Sequence, residues 1–113
     1  MDEEIDAFIR YLAVERGLSE NYQLSTRRSL AEFAQWCLRR HSLKSASEVT
    51  IDHITEYLGE RKRAGLAAAS IKLIVDALKI FFRFLLGKEL VRRDPTETLS
   101  LPRIERYLPE TLN

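Results

Sequence analysis

Helix-stopping residues are scarce in this chain and widely spaced. Only four glycines and three prolines occur in 113 residues, placed where helices would stop, and apolar residues recur between them at three- and four-residue spacing. That period of 3.6 is incompatible with the alternation of a half-buried strand, so the chain reads as all-α. Four main helices are predicted. The first runs from about Asp2 to Arg16, with acids in its first turn, Ile5, Phe8, Ile9 and Leu12 on one face, and Gly17 at its end. Ser19 is a predicted N-cap for a second, long helix reaching about His41, with a core stripe of Thr26, Leu30, Phe33, Ala34 and Cys37.

A polar loop, HSLKSASEV, follows. Thr50 is placed to cap a third helix that buries Ile51, Ile54, Tyr57 and Leu58 and ends before Gly65. The fourth helix, from about Ala69 to Leu86 before Gly87, is the most hydrophobic segment. At 100° per residue Ile71, Ile74, Leu78, Phe81, Phe82 and Leu85 share one face, while Leu73, Ala77, Ile80 and Phe84 form another. Two apolar faces imply a helix packed on two sides, at the centre of a bundle. Asp94 and Pro95 are a good N-cap and N1 pair for a short helical turn. The remainder, SLPRIERYLPETLN, has two prolines and no sustained period, and reads as a linker. The expected organisation is one domain over residues 1–100 and a linker over 101–113.

Composition bounds the function classes. The chain is 45% hydrophobic and 31% charged, enough to bury one core and too unbiased for a disordered tail. One cysteine rules out an intrachain disulfide, and no apolar run approaches a membrane span. A cytoplasmic protein with no membrane partner is expected. The net charge of +1 names no partner, but its distribution does. Two bases against five acids leave residues 1–18 at −3, whereas five bases against two acids bring residues 19–46 to +3. Three bases against four acids put residues 47–65 at −1, and Lys72, Lys79 and Arg83 against Asp76 put residues 66–87 at +2. On the second helix the side opposite Leu30 collects Asn21, Ser25, Arg28, Glu32, Gln35 and Arg39. The fourth keeps one polar stripe of Lys72, Asp76, Lys79 and Arg83. Such stripes suit phosphates and base edges, and they equally suit plain solvated faces.

Little in the sequence suggests catalysis. HSLKS and HITEY match no metal-ligand spacing, no glycine-rich phosphate loop is present, and Cys37 lies on the core stripe. No metal, no cofactor and no small-molecule ligand are expected. His41 is read as ending a helix and His53 as sitting in a first turn. The phenylalanines recur at helical spacing and read as core, Trp36 as half-buried packing beside it, and Tyr22 as a residue near enough to a helix start to approach a sugar or phosphate.

The stretches GLSENYQLSTRRSLAEFAQWC, RAGLAAASIKLIVDALKIFFRFLL and DPTETLSLPRIERYLPETLN, in that order, resemble the N-terminal core-binding domain of the tyrosine recombinases of the phage integrase family, the XerC/XerD type and XerD within it. The resemblance covers nearly the whole chain. It implies a SAM-like bundle of four main helices plus a short C-terminal helical turn, forming half of a C-shaped clamp on duplex DNA. It also implies a recombinase that exchanges strands through a 3′-phosphotyrosyl link, with the catalytic residues in a domain beyond the linker, and further recombinase subunits in a DNA-bound tetramer. Tyr11, Tyr22, Tyr57 and Tyr107 have no matching catalytic motif, so no residue here is expected to be catalytic. Asn21, Arg27 and Arg28 match the family's N-x-x-x-x-x-R-R pattern, and Ser70, Lys79 and Arg83 fall in the corresponding parts of the fourth helix. With Ser25 and Lys72, these make eight candidate DNA contacts. Ala67 stands where a capping serine is common.

The leading expectation is therefore a DNA-binding domain that grips the duplex without cutting it, in chromosome dimer resolution or DNA integration. The alternative is a helical protein-interaction module that docks a partner on the stripe of Leu73, Ile80 and Phe84.

Overall fold

The computed structural model describes residues 1–99, which form four α-helices and, among the described residues, no strand. They are α1 (Asp2–Val14), α2 (Glu20–His41), α3 (Ile51–Arg63) and α4 (Ala68–Gly87). The expected linker at 101–113, with Tyr107, lies outside the described residues. The helix starts are set by the side chains expected. Ser19 Oγ accepts the Tyr22 N–H at 3.2 Å, and Thr50 exchanges bonds with His53, whose Nδ1 accepts the Thr50 N–H at 3.0 Å. Ala67, at the start of α4, supplies no side-chain cap.

The helix ends are less regular. α1 stops at Val14, two residues short of expectation, because Gly17 takes a left-handed turn (φ 60°) and the Leu18 N–H bonds to the Leu12 carbonyl at 3.2 Å. Glycine does not always end a helix here. Gly59 sits inside α3, and α4 runs through Gly87, leaving Glu89 to adopt the left-handed turn at φ 61°. The loop after α2 is more ordered than predicted. It contains a single 3-10 turn, Ala46–Glu48, with its own capping box at Ser45, and Glu4 of α1 accepts the Ala46 N–H at 3.3 Å.

The core forms where the apolar stripes meet, and α4 packs against α1, α2 and α3. Phe8, Phe33, Phe81 and Phe82 are all fully buried. Phe8 meets Phe81 edge-on at 5.5 Å and Phe84 at 5.3 Å, joining α1 to α4. The first predicted face of α4 is buried throughout, together with Val75. Its second face divides. Ala77 is buried, Ile80 and Phe84 are half-buried, and Leu73 stands 65% exposed. Phe84 rests on Phe8 and on Tyr11 (4.9 Å), so α1 covers part of the stripe that a protein-interaction module would offer to a partner.

Trp36 is fully buried rather than half-buried, 4% exposed, because its Nε1 donates to Glu60 Oε1 on α3 at 3.1 Å and the indole needs no water. The helical turn predicted at Asp94 is seen as a turn over 95–98. Asp94 Oδ1 accepts both the N–H (2.8 Å) and the hydroxyl (2.5 Å) of Thr96, a buried residue, and Val91 and Leu99 are buried around it.

Candidate nucleic-acid interface

The cationic surface follows from how α2 and α4 are buried. On α2, Arg27 turns toward α1, while Phe33, Trp36 and Arg40 face α3. What remains is one stripe of Asn21, Ser25, Arg28, Glu32, Gln35 and Arg39, every member of it exposed. Arg28 has no carboxylate partner among the described residues. Arg27 does: its Nη1 donates to Asp6 Oδ1 at 2.6 Å. A step of one residue turns the helix by about 100°, so the adjacent arginines of the N-x-x-x-x-x-R-R pattern point to different surfaces. Arg28 faces solvent, whereas Arg27 ties α2 to α1.

On α4 the predicted stripe is present. Lys72 pairs with Asp76 at 3.5 Å, one turn apart, while Lys79 and Arg83 have no carboxylate partner among the described residues. Ser70 is exposed in the first turn, off the stripe. Thirteen residues separate it from Arg83, or about 20 Å of helix. The eight candidate residues therefore do not form one cluster.

A narrower group does share one end of the bundle. Arg16, Arg83 and Gly87 line the same surface groove, together with Tyr11, Ile80, Phe84 and Lys88; its volume is about 510 Å³. Ser19, which caps α2, follows Arg16 by three residues, a span of at most about 11 Å. The start of α2, with Asn21 and Ser25, and the last turns of α4, with Lys79 and Arg83, thus lie at the same end of the molecule. Arg16 and Lys88 are missed in the sequence, because Arg16 reads as the last residue of the first helix and Lys88 lies past the end of the fourth, and neither falls on a polar stripe. Tyr22, read as near the helix start, is partly exposed there, at 39%.

The opposite end of α2 is committed to structure. Arg40 reaches Glu56 (3.3 Å) and Glu60 (3.4 Å), and His41 Nε2 is 2.9 Å from Glu56 Oε1. The hydrogen bond from His41, aided by its charge and by Arg40, holds the Glu56 carboxyl below its usual range. His41 and His53 are thus used at a helix end and a first turn. Burial pushes the Cys37 thiol up to about 12, which leaves no thiolate for nucleophilic chemistry at neutral pH. Among the described residues, no group of three or more His, Cys, Asp or Glu side chains is arranged to hold a metal ion, and no helix is long and apolar enough to cross a membrane.

Comparison with known proteins gives the family of the domain. The family described as phage integrase, N-terminal SAM-like domain, matches residues 5–89. Tyrosine recombinase XerC of Roseiflexus castenholzii is 37% identical over 99% of this chain, which covers 35% of that protein. Tyrosine recombinase XerD of Pseudomonas putida is also 37% identical, over 96% of this chain and 36% of its own length. Tyrosine recombinase XerD of Halalkalibacterium halodurans is 33% identical over 99% of this chain and 38% of its own. The chain spans just over a third of the length of the curated relatives it matches, and those relatives carry both the XerC and the XerD name. No solved structure matches the chain.

Proposed function

The chain belongs to the phage integrase N-terminal SAM-like domain family, and on that premise we propose that it is the DNA-gripping part of a site-specific tyrosine recombinase of the XerC/XerD type. The duplex lies against the end of the bundle where α2 begins and α4 finishes. Arg28, Lys79 and Arg83 hold backbone phosphates, and Asn21 and Ser25 face base edges or groove walls. The observation that carries this reading is electrostatic. On a chain of net charge +1, these three cations lie on the polar stripes of α2 and α4 and have no carboxylate partner among the described residues, whereas Arg27, Arg40 and Lys72 each have at least one. Ser70 and Lys72 serve, in this reading, as outer contacts farther along α4. Arg27 contacts a phosphate only after giving up Asp6.

The domain assignment follows from the same premise: residues 1–100 grip DNA, and 101–113 lead toward the part of the recombinase that breaks and rejoins strands. Further recombinase subunits on the same DNA, and a place at the bacterial nucleoid, complete the proposal.

The test is a titration of the chain into a fluorescently labelled duplex at several salt concentrations. Each phosphate contact adds about −0.9 to the slope of log K against log salt, so Arg28→Ala and Lys79→Ala should each reduce its magnitude by about one unit. An unchanged slope in both variants removes this face from consideration. Binding that does not respond to salt favours the protein-interaction alternative.

A further inference from the structure

Three cations from two stretches of chain, the end of α1 and the end of α4, meet at one groove. Arg16 comes from the connection after α1, Arg83 from the exposed stripe of α4, and Lys88 from the residue that follows α4. The groove is about 510 Å³, its apolar sides are Tyr11, Ile80 and Phe84, and among the described residues no carboxylate lines it. None of the three cations has a carboxylate partner among the described residues; Lys88 has only the Phe84 ring, with its Nζ 6.0 Å from the ring centre. The adjoining depression, about 430 Å³, contains Glu15 and Arg10, so Glu15, the neighbour of Arg16 in sequence, sits beside the groove and not in it. Like charges gathered where the end of α1 meets the end of α4 repel one another, and an anion bound between them relieves that repulsion.

We propose that this groove is a phosphodiester-binding site, in which Arg16 and Lys88 add contacts to Arg83 and extend the DNA-binding surface beyond the two helical stripes. The inference rests on the DNA-binding reading above and deepens it. Its apolar walls suit the sugar edge of a nucleic-acid backbone, while the two guanidinium groups and the ammonium take the phosphate oxygens. Periodicity could not reveal the site, since two of its three cations lie outside the helices.

The experiment compares the whole chain, an Arg16→Ala/Lys88→Ala double variant, a Lys44→Ala/Arg63→Ala double variant and Arg28→Ala, each titrated into the same labelled duplex over a salt series. Circular dichroism first establishes equal helix content. The groove variant is expected to lose nearly two units of slope magnitude, about 0.9 per contact, and the Lys44/Arg63 variant to lose none. If the groove variant keeps the wild-type slope while Arg28→Ala loses a unit, the groove proposal fails and the DNA-binding reading stands. Equal losses in both double variants show that net charge alone is responsible, and also overturn it. If the wild-type chain shows no salt-dependent binding, the DNA-binding reading falls and the groove proposal falls with it.

Discussion

Tyr57→Phe should make this domain more stable. The Tyr57 ring is buried between α2 and α3, 5.1 Å from Phe33 in an edge contact and 5.3 Å from Trp36, and its hydroxyl has no hydrogen-bond partner among the described residues. Tyrosine and phenylalanine place the ring identically, so both aromatic contacts survive, as does the Arg61 guanidinium 5.8 Å from the ring centre. Only the stranded hydroxyl is removed. Leaving such a group buried costs about 1–3 kcal/mol, and part of that is offset by lost dispersion, so the expected gain is about 1–2 kcal/mol. For a domain of this size, that raises Tm by about 5–10 °C. Urea and thermal melts followed by circular dichroism measure it. Burial also raises the Tyr57 pKa, so above about pH 10 the unfolded chain releases this proton and the folded chain keeps it. Stability contributed below that pH is then lost as pH rises, and Tyr57→Phe escapes the loss. Its advantage should widen in alkali, against the decline that Cys37, pushed up to about 12, causes in both proteins. A variant less stable than wild type by 1 kcal/mol or more would refute the reasoning, since it would show that the hydroxyl is satisfied.

Two further substitutions probe other parts of the molecule. Asp6→Asn frees Arg27 from its ion pair; with both side chains about half exposed, the loss of stability should stay below about 1 kcal/mol, while the salt slope of DNA binding should steepen by up to about 0.9. An unchanged slope places Arg27 outside the DNA contact. Asp94→Ala removes the acceptor for both the N–H and the hydroxyl of buried Thr96, and should cost about 1–3 kcal/mol in a urea melt. A loss below 0.5 kcal/mol would show that the turn after α4 does not depend on its cap.

Most of the bundle was legible because its signals are local. Ser19 and Thr50 cap the helices they were expected to cap, and the stripes Ile5/Phe8/Ile9/Leu12 and Leu30/Phe33/Cys37 are buried as their spacing required. What periodicity could not supply was the partner across each interface. Leu73 belongs to an apolar arc, yet it stands largely exposed among the described residues. Trp36 needed a distant acceptor, Glu60, to become fully buried. The same limit governed the candidate site. The helical wheel sets Arg28 and not Arg27 on the exposed stripe, but it could not show that Arg27 is held by Asp6 of α1. Arg16 and Lys88 carry no periodic signal and become neighbours through the meeting of α1 and α4.

The burial of the chain's one tryptophan between α2 and α3 gives the protein a built-in optical reporter. Shielded from water, the Trp36 indole should emit toward the blue and shift red when those helices separate. Its emission is therefore a measure of unfolding at that junction. Trp36 does not line the groove between α1 and α4, so a ligand seated there should leave the spectrum unaltered, and occupancy has to be followed with an extrinsic dye on the DNA.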